Sequence, residues 1–120
     1  AVVHGWPTPV LFSGYTLGAA LMTGPGLTAL PAMHPVRRAY ELHPTRPLER
    51  GRPSWDQTAV LAAVRGPGCC WELSAPGTNR LGADGANRWE ARADGPHRYL
   101  IERDPPAQVA AEIERLMTAG

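Results

Sequence analysis

Thirteen prolines and thirteen glycines in 120 residues cut this chain into short pieces. Proline removes a backbone donor and glycine weakens helix and strand interiors, so the chain must hold many turns and connections. Apolar runs interrupt those turns throughout, so the sequence is not low-complexity. Its length fits one domain with a modest core. Twelve basic and eleven acidic residues leave a formal charge of +1, with arginine supplying all of the positive charge. That balance argues against a general electrostatic surface for nucleic acid. Arg37 and Arg38 read as a solvated helix face. No run reaches about 18 apolar residues, so no membrane span is expected. No charged segment followed by an apolar one marks a leader, and the compartment is not legible. Cys69 and Cys70 are adjacent, which makes neither a disulfide framework nor a zinc spacing, and they read as buried thiols. The chain begins at Ala1 rather than methionine, and a processed, trimmed or incomplete product is expected.

The punctuation frames one central stretch, Arg52-Pro53-Ser54-Trp55-Asp56-Gln57-Thr58-Ala59-Val60-Leu61. Gly51 and Pro53 mark a tight entry. Ser54 or Asp56 can cap a helix, because either side-chain oxygen can accept from an orphan helix N–H. Ala59 to Val64 then reads as a buried-type helical run. Asp56 stands where the helix dipole favours a carboxylate. Its plain reading is a cap. Its sharper reading is a metal ligand or catalytic carboxylate at a helix mouth.

Upstream, Thr8 to Phe12 reads as a strand, and its continuous apolar run Val10-Leu11-Phe12 suggests cover on both faces. Ser13-Gly14 closes it, and Tyr15 to Met22 is a helix candidate. Strand, glycine turn and helix in succession is the α/β pattern. Leu27, Leu30 and Met33 fall in a loop or single turn. Pro35 opens a further helix, with Val36, Ala39, Tyr40 and His43 on one face. Thr45 to Arg52 reads as a surface loop. Downstream, Gly66-Pro67-Gly68 stops the central helix. Cys69 to Leu73 reads as a strand, Ala75 to Asn79 as a turn, and Arg88 to Ala91 and Arg98 to Glu102 as two short strands. The triplets at Ala83-Asp84-Gly85 and Ala93-Asp94-Gly95 are turn chemistry. Asp104 is expected to cap a last helix with Pro105 or Pro106 in its first turn. Val109, Ile113, Leu116 and Met117 form its apolar stripe, Glu112, Glu114 and Arg115 face water, and Gly120 ends it.

The central decapeptide resembles the C-terminal active-site segment of the inosine–uridine-preferring nucleoside hydrolase family, in the branch that carries Trp-Asp-Gln-Thr-Ala there. Trp6 to Tyr15 is similar to the family's upstream strand and turn, and His34 to Tyr40 to its next helix. Gly85 to Trp89 and His97 to Leu100 are similar to its C-terminal hairpin region. The resemblance covers nearly the whole chain. It implies an α/β fold: the C-terminal fragment of a nucleoside-hydrolase-like Rossmann-type fold, with short β-strands or a hairpin and a C-terminal helix. Residues 1–120 would then be a single partial domain.

The parent is implied to hydrolyse the N-glycosidic bond of a ribonucleoside or related riboside by metal-activated water attack, with Ca2+ as cofactor and room for a homo-oligomer. Asp56 matches the family's late calcium ligand and could also meet a ribose hydroxyl. Calcium takes six to eight oxygens, and the family's Asp-rich N-terminal motif has no counterpart here. The glutamate and asparagine that hold ribose in the family would lie upstream of Ala1. Trp55 stands where described members carry a histidine that helps the base depart; an indole can only stack on a base or close the pocket. The expected substrate-binding residues are therefore Trp55 and Asp56, the metal ligand is Asp56, and no catalytic residue is visible. The fragment alone is expected to be inactive or very weak.

Two alternatives remain open: a non-catalytic sugar- or base-binding module using Trp55, Trp71 or Trp89, and a degenerate structural fragment. Tyr15 and Thr16 follow the first strand, where α/β sites often lie. His4, His34, His43 and His97 are too scattered in sequence for a convincing metal site. Ser13 lacks a nucleophile-elbow setting. Asn87 and Trp89 read as shaping the hairpin. Gly24-Pro25-Gly26 is no phosphate loop.

Overall fold

The strand that organises the molecule is His97–Glu102, because three other strands pair with it. The computed structural model describes residues 2–119. Ala1, Gly120 and the side chains of Val2 and His4 lie outside the described residues, and with them the readings of Gly120 as a helix stop and of His4 as a candidate.

In chain order, a short helix α1 (Val2–Gly5) precedes β1 (Val10–Phe12) and α2 (Tyr15–Ala20). A two-residue strand β2 (Met22–Thr23), a 3-10 turn (Pro25–Ala29) and α3 (Pro35–Glu41) follow. Next come α4 (Pro47–Arg50), β3 (Arg52–Pro53) and α5 (Trp55–Arg65). After a second 3-10 turn (Pro67–Cys69), the strands β4 (Trp71–Leu73), β5 (Gly77–Leu81), β6 (Asn87–Ala91) and β7 (His97–Glu102) lead into the last helix, α6 (Pro106–Thr118). This is a small mixed α/β domain with short strands, an open sheet and a C-terminal helix.

The sheet runs β1-β7-β5-β6, with β4 also on β7. β1 is parallel to β7, with Phe12 beside Tyr99. β4 and β5 share the other edge of β7: β4 takes Leu100 to Glu102 and β5 takes His97. Ser74 bridges the gap between them. Its N–H donates to the Tyr99 carbonyl and its Oγ accepts from the Tyr99 N–H, so a side chain replaces a missing ladder rung. β5 was hidden in the sequence for this reason. Ala75 to Asn79 looks like a turn, yet Gly77 already pairs with Ala91 and His97. Glycine is required there, because a Cβ would stand 2.3 Å from the Trp89 ring.

The core lies between the sheet and the two long helices. Trp71 and Leu100 from the sheet meet Leu61 and Ala62 of α5 and Val109, Ala110 and Ile113 of α6, with Leu116 and Met117 at the margin. The expected stripe of α6 is therefore found, with Ala110 added to it. Burying side chains of this size is favourable by about 1.5–3 kcal/mol each.

Several expectations are corrected. Leu11 is 41% exposed, so β1 is an edge strand open on one face rather than covered on both. Val60 and Val64 point to solvent, so only Leu61, Ala62 and Thr58 of α5 are buried. The presumed loop before Arg52 contains α4, which Pro47 opens from a buried first position. Helix α3 buries none of its residues. Arg37 is no solvated cation: it pairs with Glu41 and donates to the carbonyls of Thr28 and Leu30. Pro105, not Asp104, takes the N-cap position of α6, and Asp104 pairs instead with Arg103, whose guanidinium holds the carboxyl below its ordinary range. Glu114 does not face water. Its Oε1 accepts from the N–H groups of Gly24 and Gly26, closing the first 3-10 turn onto α6.

Glu114→Ala strands those two N–H groups. Charge-assisted bonds are worth about 1.5–3 kcal/mol, and a loss of that order is expected in urea unfolding, with Glu112→Ala on the same helix costing less. Equal losses for the two variants would contradict the anchoring role of Glu114.

Candidate functional site

The alternation of strand residues puts one set of side chains on the open face of the sheet. Phe12 and Tyr99 are register partners, as are Asn79 and Trp89. Ile101 and Asn87 follow by the same period. Over one end of this floor stands the turn Ser13–Thr16, together with Trp55 from the start of α5. The result is an open cleft of about 790 Å³. Five aromatic side chains line it: Phe12, Tyr15, Trp55, Trp89 and Tyr99.

The aromatics are arranged in two pairs. Tyr15 stacks on Trp55 with ring centres 5.5 Å apart and planes at 26°. Trp89 meets Tyr99 edge to face at 4.8 Å. Such pairs favour each other by about 0.5–1.5 kcal/mol beyond the area they bury, which holds the rings in place. Tyr15 is 75% exposed, so one aromatic face is offered to solvent at the mouth. Asn79 and Asn87 bring amides, Ser13 and Thr16 hydroxyls, and Glu102 is the one carboxylate among the described residues of the lining.

Trp55 owes its position to its neighbours. Ser54 sits at the N-cap of α5, but its side chain makes no cap bond. Its Oγ instead donates to the Arg52 carbonyl, so the hydrogen bond it shares with Thr23 must be donated by Thr23. The Ser54 N–H donates to Gly18 and its carbonyl accepts from the Thr58 hydroxyl. Trp55 then passes directly over Gly18, where a Cβ would lie 2.7 Å from the Trp55 Cα. The indole N–H donates to the Tyr15 carbonyl at 2.9 Å, which fixes the ring plane.

Asp56, one residue on, goes elsewhere. It is exposed in the first turn of α5 and lines a different groove with Val60, Val64 and Ile113. The structure thus gathers Trp55, Tyr15, Thr16, Ser13, Asn87 and Trp89 in one place and leaves Asp56 outside it. Among the described residues, no three His, Cys, Asp or Glu side chains gather as metal ligands. Asp56 is a single exposed carboxylate, where a calcium cage takes six to eight oxygens. Trp71 is 2% exposed, in the core.

The described histidines are dispersed. Both ring nitrogens of His43 face donors: Nε2 the Arg52 guanidinium, and Nδ1 the Thr45 N–H, with the Thr45 hydroxyl beside it. His97 is buried under Phe12, and its Nδ1 accepts from the Asn79 N–H. It supports the floor of the cleft without lining it. His34 lies at the start of α3, with its Nδ1 buried and without a partner among the described residues. Phe12, Asn79 and Tyr99 were missed as site residues. For Phe12 and Tyr99 the signal was the period of two in β1 and β7, which points alternate residues at the same face; Asn79, in a segment that reads as a turn, carried none.

These features define a small mixed α/β domain that presents an aromatic cleft on an open sheet face. No family model matches the chain, and neither a curated protein nor a solved structure matches it. No helix of the described residues is long and apolar enough to cross a membrane.

Gly18→Ala is expected to push Trp55 off its seat. Overpacking against backbone costs about 1–3 kcal/mol, and the tryptophan emission of the folded protein should shift to the red as Trp55 gains water. Unchanged emission and stability would refute that packing.

The two thiols differ. Cys69 is half-buried and Cys70 buried, both unpaired. Burial, and next the Cys69 thiol beside it, push the Cys70 thiol up to about 11. A free thiol titrates near about 8.5, so this part of the stability is complete below that pH and is lost as pH rises towards the folded value. Melting temperature should fall on that climb, and less steeply in Cys70→Ala; identical slopes would contradict the assignment.

Proposed function

We propose that this chain binds the ring of a nucleoside or related riboside in the aromatic cleft, as the C-terminal portion of a hydrolase of the ribosidic C–N bond. The observation that carries this reading is the convergence of Trp55, Tyr15, Trp89 and Tyr99 around one opening. Flat heterocycles stack on such rings, each stack contributing about 1–3 kcal/mol. The amides of Asn79 and Asn87 offer donors and acceptors that suit ring edges or ribose hydroxyls.

The resemblance at Trp55-Asp56 supplies the hydrolase part of the proposal. The parallel pairing of β1 with β7 supports it, because parallel strands occur mostly inside larger sheets with both faces covered. β1 ends the sheet with one edge unpaired among the described residues, as a strand inside a larger Rossmann-type sheet would if its neighbour came from elsewhere in the parent. In this proposal calcium belongs to the parent, Asp56 gives it one oxygen, and the parent supplies the remaining ligands and the base. This chain alone then binds without turning over. Oligomeric assembly is a property of that parent.

A second reading is a non-catalytic sugar- or base-binding module. One observation favours it: Asp56 and Trp55 line different surfaces.

Titration of the 120-residue chain with inosine and with uridine, followed by tryptophan fluorescence, tests the proposal. Saturable quenching is expected, weakened about tenfold in Trp89→Ala, the equivalent of one lost stack. Asp56→Ala should leave this binding intact. Absence of saturation, or loss of binding in Asp56→Ala with none in Trp89→Ala, would overturn the assignment of the cleft. Release of free base by the chain alone would show that a complete catalytic site lies within it.

A further inference from the structure

Cys69 and Cys70 are the two cysteines of the chain, and both are free thiols. Cys69 ends the second 3-10 turn and Cys70 follows it. Both border one groove of about 470 Å³ between α5 and α6, together with Arg65, Asp104, Gln108 and Glu112. The groove gives a small molecule a route to the pair. Cys69 is the more open thiol, and it stands near enough to push the Cys70 thiol up.

The backbone of the pair is held from one side. Arg103 donates through Nη1 to the Gly68 carbonyl and through Nη2 to the Cys69 carbonyl, each at 2.9 Å. The Asp104 N–H donates to the Cys70 carbonyl at 3.2 Å. Three successive carbonyls are thus fastened to the two residues that lead into α6. The Asp104 carboxylate steadies the Arg103 fork through bonds at 2.8 and 3.0 Å. A planar fork of this kind fixes direction as well as distance, so it sets the plane of the Cys69–Cys70 peptide.

Neighbouring Cα atoms stand about 3.8 Å apart across a trans peptide, whereas disulfides usually span about 4.4–6.8 Å. A bond between adjacent cysteines therefore closes under strain and is readily reduced. It suits reversible oxidation better than stapling a fold.

We propose that Cys69 and Cys70 form a redox-active dithiol, which low-molecular-weight disulfides oxidise reversibly to a vicinal disulfide against the restraint of the Arg103 clamp. The Cys69 thiolate attacks one sulfur of the small disulfide, and the other sulfur leaves as a thiolate. The Cys70 thiol then gives its proton to the medium, and its thiolate attacks the Cys69 Sγ of the mixed disulfide. The second small thiolate leaves. Two electrons pass from the pair to the reagent, and the two protons end on the released thiols. Closing the ring turns the peptide between the cysteines, so its carbonyl leaves Arg103. The site lies apart from the aromatic cleft and does not rest on the nucleoside reading.

The test treats the folded 120-residue chain with one molar equivalent of 5,5′-dithiobis(2-nitrobenzoate). Released thiolate is read by absorbance and the chain by intact mass. Two thiolates per chain are expected, in two steps, with a monomeric product two hydrogens lighter that dithiothreitol restores. With two cysteines in the chain, that loss within a monomer is the Cys69–Cys70 bond. Cys70→Ser should stop at the mixed adduct after one thiolate. Arg103→Lys keeps the charge and loses the fork, and should quicken the second step at least about threefold. A wild-type chain that keeps its adduct, links to another copy or does not react overturns the proposal. A second step no faster in Arg103→Lys overturns the clamp.

Discussion

A knot of buried polar groups at Ser54 decides where the aromatic cleft can form. Ser54 and Thr23 are each fully buried, and such groups are tolerated only when hydrogen-bonded. Each bond of the knot ties a different element. The Ser54 N–H holds the end of α2 at Gly18, its hydroxyl holds β2 through Thr23, and its carbonyl starts α5 through Thr58. With those three elements fixed, Trp55 has one place to go: over Gly18 and against Tyr15. A serine that looks like an ordinary helix cap is therefore the joint between α2, β2 and α5.

The second constraint is the sheet. β7 carries Leu100 into the core and turns His97, Tyr99 and Ile101 to the opposite face, where His97 is buried against Phe12. The hairpin of β5 and β6 brings Trp89 across Gly77 towards Tyr99. One face of the sheet is thus packed on α5 and α6, while the other is aromatic and free. The same helix start that delivers Trp55 to this face sends Asp56 away from it, since consecutive helical residues are about 100° apart. The aromatic cleft and the carboxylate at the helix mouth are for that reason separate features of the chain.

Much of the fold was legible where local chemistry decides. Pro35 and Pro106 start helices, Gly66 stops one, and Val109 with Ile113 marks a buried stripe. Trp55 was singled out only through the resemblance, and the structure places it in the lining of the cleft. Less visible were features set by distant partners. β5 depends on Ser74, His97 and Trp89, and nothing within Gly77 to Leu81 announces a strand, since glycine and asparagine are poor strand formers. Glu114 looks like a solvent-facing helix residue until the Gly24 turn is placed under it. The cleft itself required pairing Phe12 with Tyr99 and Asn79 with Trp89, which is register information that a single strand does not carry.

The central claim is that the open sheet face, with Trp55 and Trp89 on it, is the ligand surface of this chain. The most direct measurement is a 1H–15N spectrum resolving the four tryptophan indole N–H groups during titration with a nucleoside. The account predicts shifts at Trp55 and Trp89 together, with buried Trp71 unmoved and Trp6 serving as an exposed control. Shifts at Trp6 or Trp71 with Trp55 and Trp89 silent would contradict it.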